Sequence, residues 1–396
     1  MAVSSLRKWT FPPELWLMVF RDFNDSDPDS LQARDTLKSI SLTCRDFRRF
    51  ALPLLCETFV LNPSRNSMPF SDRTDREFRR LDFYASDRIA PYVCHLKVLH
   101  DKPQILFRKF FDMLPQFTNA RSLTCNETVI DLRTFENLSA LPCLQSIDLT
   151  NCLSTNPLSR NDSLRLLRLH TLRYTSDWCD ADYTRKGPYR WLTLMDPSSL
   201  QVLDVYFMIP RNSPAPSSGG FFRDMPSAGL FPSLHTLSLG GAPDMVGQIG
   251  QILSNTPALR RLTISPHYLD VELINTSESP AGHLVPYLEA YDGPIELLPN
   301  ILHRSGSSMK SPSSIRLRRL KLKGDNSLHA VVNTLRSLCP TQFMHLTHFH
   351  ASLTWADCNT LGNVCVLFPE LQELRLTPKN LWRPFTYNVG LLFPAC

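Results

Sequence analysis

The chain has 396 residues, of which 43% are hydrophobic and 20% charged, and a net charge of +5. That balance fits a folded protein, excludes a highly charged disordered chain, and is too mild to demand a nucleic-acid partner. No run approaches the roughly 18 continuous apolar residues of a membrane span.

Arg7 and Lys8 precede an apolar stretch, but Pro12, Pro13 and Glu14 interrupt it and no small-residue cleavage site follows. No signal peptide is expected. The eleven cysteines are odd in number and contain no CxxC pair. They are expected as free thiols, in the cytoplasm, the nucleus or both.

The first predicted element is a helix through the apolar run Leu15 to Phe20. Pro12 and Pro13 suit its first turn, where their missing N–H groups cost nothing, and Glu14 faces the positive end of the helix dipole. Leu15, Met18 and Val19 form one apolar stripe; Trp16, Phe20 and Phe23 form a second. A polar loop is expected over residues 24–34. A second helical pattern then runs through Leu37, Ile40, Cys44, Phe47, Phe50 and Leu54. About forty residues do not make a self-sufficient core, so this module either caps the rest of the chain or leans on a partner.

Phe11-Pro12-Pro13-Glu14-Leu15, followed by Leu37-x4-Leu42-Thr43-Cys44-Arg45-Asp46-Phe47, resembles an F-box. Phe11 stands where that motif usually has Leu, Thr43 where it has Val, and Phe47 where it has Trp. The loop between the helices is also longer. Residues 88–99 and the run Tyr287-Leu-Glu-Ala-Tyr-Asp-Gly-Pro294 resemble the repeat region of fungal F-box proteins. The resemblance implies an adaptor-binding motif at residues 8–56 and a leucine-rich-repeat region at 57–396. It also implies docking of a Skp-type adaptor, and through it a cullin, on Phe11, Pro12, Leu15, Val19, Phe20, Leu37, Leu42, Cys44 and Phe47.

From residue 93 the pattern apolar-x-x-apolar-x-apolar returns eleven times. It starts at Val93, Ala120, Leu144, Leu169, Leu200, Leu234, Leu259, Val285, Leu317, Leu346 and Leu371, at intervals of 24 to 34 residues. Several copies come after a helical stretch and a proline: residues 245–254 before Pro257, 328–338 before Pro340, and 357–367 before Pro369. Helix, proline-marked turn and short strand make one unit of an α/β repeat. The expected fold is therefore α/β: a short all-helical F-box followed by a leucine-rich-repeat solenoid, or horseshoe. A doubly wound sheet also alternates strands and helices, but does not predict one strand signature returned eleven times.

The x positions around each middle apolar residue point to the concave strand face. They are Asp148, Arg173, Asp204, Arg261, Tyr287, Glu289, Arg319, Lys321, His348, His350, Glu373 and Arg375. Arg261, Arg319, Lys321, His348, His350 and Arg375 are the predicted target-binding set, suited to an acidic or phosphorylated segment. A solvated face that only keeps the array soluble is the other reading of the same charges. Residues 210–220 and 303–314 are expected to be loops.

No catalytic motif, metal set or cofactor motif is found. His345, His348 and His350 lack a nearby Cys or acid to complete a zinc site. Gly240-Gly241-Ala242-Pro243 lacks the Lys-Ser/Thr of a phosphate loop. The basic run at 316–323 carries core leucines and no aromatic platform for RNA. The chain is expected to be a non-catalytic substrate-recognition subunit of a Skp–cullin–F-box ubiquitin ligase, needing no cofactor, nucleic acid or membrane. A repeat scaffold without ubiquitin transfer and an undetected hydrolase remain as rivals.

Overall fold

The structure is a computed structural model. It describes residues 12, 15–16, 18–20, 31–62, 70–99, 104–154, 166–177, 192, 194–208, 230–240, 249–265, 285, 287–302, 317–338, 343–353, 358–378 and 385–388. The chain packs as two compact units, residues 1–128 with 133–145 and residues 129–132 with 146–396. The division by packing falls inside the strand series rather than at residue 56. Phe11, Phe23 and the predicted loops at 210–220 and 303–314 lie outside the described residues.

In the first unit, residues 15–16 and 18–20 are helical. Helix α1 (Leu31–Thr43) begins inside the stretch expected as loop, and α2 (Arg45–Cys56) starts after a single residue. That residue, Cys44, interrupts what its spacing suggests is one helix. It adopts an extended backbone at φ −155°, and its Sγ accepts the Phe47 N–H at 3.4 Å. Upstream, the Ser39, Ser41 and Thr43 hydroxyls each donate to a carbonyl of their own helix, a competition that weakens a helix near its end. Asp46 then sits in the first turn of α2, where a negative charge is favourable.

Strand β1 (Thr58–Leu61) comes next, then α3 (Phe70–Tyr84), β2 (His95–Val98), α4 (Gln104–Met113), β3 (Ser122–Asn126) and α5 (Leu132–Ser139). β1 pairs parallel with β2, and β2 with β3. β1 carries the repeat signature as Cys56-x-x-Phe59-x-Leu61, all three buried. The series thus starts one strand earlier than Val93. Phenylalanine and cysteine in place of leucine hide this copy among helical residues. Arg80 of α3 ties helix to strand: it forks onto Glu77 at 2.9 and 3.1 Å and donates to the Val60 carbonyl at 2.9 Å.

The second unit holds a short parallel pair, β4 (Val129–Ile130) and β6 (Leu153–Ser154). Its main sheet runs in chain order: β5 (Ser146–Thr150), β7 (Thr171–Asp177), β8 (Val202–Met208), β9 (Thr236–Gly240), β10 (Arg261–Ser265), β11 (Ala290–Pro294), β12 (Arg319–Asn326), β13 (His348–Leu353) and β14 (Glu373–Pro378). All these neighbours are parallel. β15 (Phe385–Asn388) reverses direction and pairs antiparallel with β14, so it covers the last parallel strand's edge. Helices α6 (Ile249–Ser254), α7 (Leu298–Leu302), α8 (Leu328–Ser337) and α9 (Cys358–Leu367) lie in the connections. Parallel strands in chain order, one per repeat, with helices described in four of the eight connections between them, make the unit an α/β array of leucine-rich-repeat type.

Sequence periodicity alone dictates most of this packing. Leu172, Leu203, Leu237, Leu262, Leu320, Phe349 and Leu374 occupy the middle apolar position, and each is buried. A single carbonyl in each turn accepts two successive N–H groups of the next repeat. The Arg260 carbonyl takes those of Glu289 and Ala290, the Glu289 carbonyl those of Arg318 and Arg319, and the Arg318 carbonyl those of Thr347 and His348.

That ladder corrects one predicted register. β11 aligns Tyr291 with Leu262 and Leu320, so its signature is Leu288-x-x-Tyr291-x-Gly293, not one starting at Val285. The starts at 259, 288 and 317 are then evenly 29 residues apart. Tyr291 explains the disguise. Its buried ring extends over the space that a residue 293 side chain would fill, and its hydroxyl donates to the Pro294 carbonyl at 2.7 Å. Tyr287 and Glu289 consequently lie before the strand, and the outward, half-buried positions of β11 are Ala290 and Asp292.

Candidate functional site

Two surfaces bear on function, one in each unit. In the first unit, the two stripes predicted for the opening helix have opposite fates. Trp16 and Phe20 turn inward: Trp16 packs edge-on to Phe47 at 4.7 Å, and Phe20 lies 5.9 Å from Phe47. Phe20 and Leu37, both expected to touch an adaptor, are 2% and 1% exposed and brace the module from within. Leu15, Met18 and Val19 turn outward at 43%, 63% and 44% exposure, and Leu42 near the end of α1 is 82% exposed. Pro12 and Cys44 are exposed, with Cys44 capping α2, and Phe47 is half-buried in the aromatic cluster. Met18 belongs with the outward set although it was not among the expected adaptor residues. Its place in the Leu15 stripe is the signal that identifies it.

The second surface is the open strand face of the second unit, opposite the buried side chains. Parallel register brings all six predicted target-binding residues onto it. Arg261, Ala290, Arg319, His348 and Glu373 form one row across β10 to β14. Thr263, Asp292, Lys321, His350 and Arg375 form the next. Ala290 is the smallest side chain of its row, and a shallow depression of about 430 Å³ opens over it between Arg261 and Arg319. A second depression, of about 530 Å³, lies beside it among Arg318, Arg319, His345, His348 and Glu370.

These charges are not equally available. Asp292, which the mistaken register hid, takes both Lys321 at 3.1 Å and Lys323 at 3.0 Å. Glu373 takes both histidines, with His350 Nε2 at 3.0 Å and His348 Nε2 at 3.7 Å. The hydrogen bond from His350 lowers the Glu373 carboxyl below the usual glutamate range; the charges of His350, His348 and Arg375 add to this against a smaller opposing effect of burial. Arg261 and Arg319 have no ion-pair partner among the described residues. The cationic character expected of six residues therefore rests mainly on these two guanidiniums, with Arg375 beside Glu373.

Among the described residues no group of three or more His, Cys, Asp or Glu side chains is placed to hold a metal ion. Seven of their cysteines are free thiols, and no helix among the described residues is long and apolar enough to cross a membrane.

No protein-family model matches the chain. No curated protein matches it either. An internalin from Listeria monocytogenes is similar among solved structures: the match covers 90% of this chain and 91% of that one, at 14% identity and a TM-score of 0.40. The repeat assignment rests on the strands and registers described above.

Proposed function

We propose that the chain is a non-catalytic substrate-recognition subunit of a Skp–cullin–F-box ubiquitin ligase. Residues 8–56 dock on a Skp-type adaptor, and the repeats from residue 57 hold a protein target on their open strand face. The carrying observation is the outward stripe Leu15, Met18 and Val19 together with Leu42, large apolar side chains left exposed on a module that buries Phe20 and Leu37. A contiguous exposed apolar stripe of this kind is the sort of surface that marks a protein contact. The motif resemblance supplies the adaptor's identity.

On this reading the chain does no chemistry. It raises the local concentration of its target near a ubiquitin-carrying enzyme recruited through the adaptor and cullin. The strand face would take an acidic or phosphorylated segment at Arg261 and Arg319, because guanidinium forks carboxylate and phosphate oxygens with two bonds. The protein would act in the cytoplasm, the nucleus or both, without cofactor, nucleic acid or membrane.

Co-expression with a Skp-type adaptor and a cullin tests the assignment. The wild-type chain should co-purify with both, and a Leu15→Ala/Leu42→Ala variant with neither. Equal recovery by that variant would refute docking through the exposed stripe. A repeat scaffold that never directs ubiquitin transfer is the second reading, favoured by how far the strand face suits a protein partner by itself. Captured proteins that gain no ubiquitin in the reconstituted complex would decide for the scaffold.

A further inference from the structure

The open strand face of the second unit carries opposite charges toward its two ends, and at each end some charge lacks a counter-ion. Asp148 on β5, Arg173 on β7 and Asp204 on β8 stand in one register row. Arg173 Nε lies 3.2 Å from Asp204 Oδ2, so two carboxylates share one guanidinium. Asp148 is the one left over. Burial pushes its carboxyl up, Arg173 pulls it back in part, and Asp204 pushes it further. Four strands beyond Arg173, Ala290 lies in register between Arg261 and Arg319, two guanidiniums with no carboxylate partner among the described residues.

The ground between the two ends is neutral and low. The outward, half-buried positions of β9 are Thr236 and Ser238, and Thr263 continues the row on β10, while Gly240 at the strand end is buried. The Tyr206 ring lies across Gly240 so closely that a Cβ there would stand 2.5 Å from the Tyr206 Cδ2 atom. The short hydroxyl side chains leave room for a peptide backbone, and the half-buried Tyr206 ring, seated over Gly240, offers it one apolar contact.

We propose that a single extended segment of the partner crosses these strands, placing a cationic side chain over Asp148 and Asp204 and an anionic one, carboxylate or phosphate, between Arg261 and Arg319. This rests on the strand face being the target-binding surface and adds the partner's charge order and spacing. β7 centres the acidic end and β11 the basic end, four steps apart in the sheet. At about 4.8 Å per step the span is about 19 Å, or about six residues of extended chain at roughly 3.3 Å each. A segment with its charges in the opposite order would set like charges against each other at both ends, so the face selects orientation as well as composition.

Selection of a phage-displayed random dodecamer library on the full chain tests this directly. Enriched sequences should pair a Lys or Arg with an Asp or Glu about five to eight residues away, bracketing that span. The best peptide, followed by fluorescence anisotropy, should bind Asp148→Lys and Arg319→Glu each at least about tenfold more weakly. Circular dichroism checks that both variants fold. The Asp148→Lys/Arg319→Glu double variant should regain affinity for the peptide whose two charges are exchanged. Enriched peptides that are only anionic, or an exchanged peptide that gains nothing, would overturn the two-ended inference and leave strand-face binding intact. No enrichment over immobilised albumin would overturn strand-face binding itself.

Discussion

Gly293→Ala tests the register of β11, on which the placement of Asp292 and the depression over Ala290 both depend. A Cβ at residue 293 would lie 2.6 Å from Tyr291 Oη, 2.8 Å from its Cζ and 3.2 Å from Ile264 Cβ. The Tyr291 ring has no free end to yield: it is fully buried and its hydroxyl is held by the Pro294 carbonyl at 2.7 Å. Forcing an extra methyl into a filled core costs about 1–3 kcal/mol. Displacing the ring also leaves a buried hydroxyl unpaired, roughly another 1–3 kcal/mol. Together these give a loss of about 2–6 kcal/mol. Tyr291→Leu alone leaves a cavity and costs about 2–4 kcal/mol. The double variant Tyr291→Leu/Gly293→Ala nearly conserves the total side-chain volume. Its loss should fall short of the sum by at least about 1 kcal/mol. Urea denaturation followed by circular dichroism reads all three, with midpoints compared at equal slope. A Gly293→Ala loss under about 0.5 kcal/mol, or simple additivity in the double variant, would refute the arrangement.

Ser327 Oγ accepts the Ala330 N–H at 3.2 Å and caps α8; Ser327→Ala should cost about 1 kcal/mol in the same assay, and no loss would mean the cap contributes nothing. Asp148 has its folded-state pKa raised, chiefly by burial, so the folded chain holds that proton more tightly than the unfolded one. Stability should therefore decline as pH rises through the interval between the two values and stay reduced above it. Asp148→Asn should raise the melting temperature at pH 7, with the gain vanishing below about pH 4; a lower melting temperature at pH 7 would contradict that sign.

Much of the array was legible because burial repeats with strand period. The middle leucines at 172, 203, 237, 262, 320 and 374 need no tertiary information to be recognised as core. Legibility failed where another side chain took over leucine's volume. Phe59 hid β1, and the Tyr291–Gly293 pair moved the expected start of β11 by three residues. That slip had a functional consequence: it removed Asp292 from the strand face and left Lys321 apparently unpaired. In the helical module, the two stripes of the first helix were legible, but which stripe faces inward was not. Helical spacing is the same for both. The choice is made by Phe47, whose ring meets Trp16 and Phe20 across a chain separation that periodicity does not span. The break at Cys44 was hidden for a different reason: apolar positions at 40, 44 and 47 keep helical spacing straight through the cap.

Adaptor docking by the exposed stripe is the claim on which the rest of the functional reading depends, and calorimetric titration of the full chain with a purified Skp-type adaptor measures it most directly. Wild type should bind one to one. Leu15→Ala/Leu42→Ala should weaken binding by at least about 30-fold, from a loss of roughly 2–4 kcal/mol on truncating a central apolar anchor. Arg261→Ala/Arg319→Ala, altered only on the strand face of the other unit, should bind like wild type. Absent binding by the wild-type chain, or equal affinity with and without Leu15 and Leu42, would contradict the account.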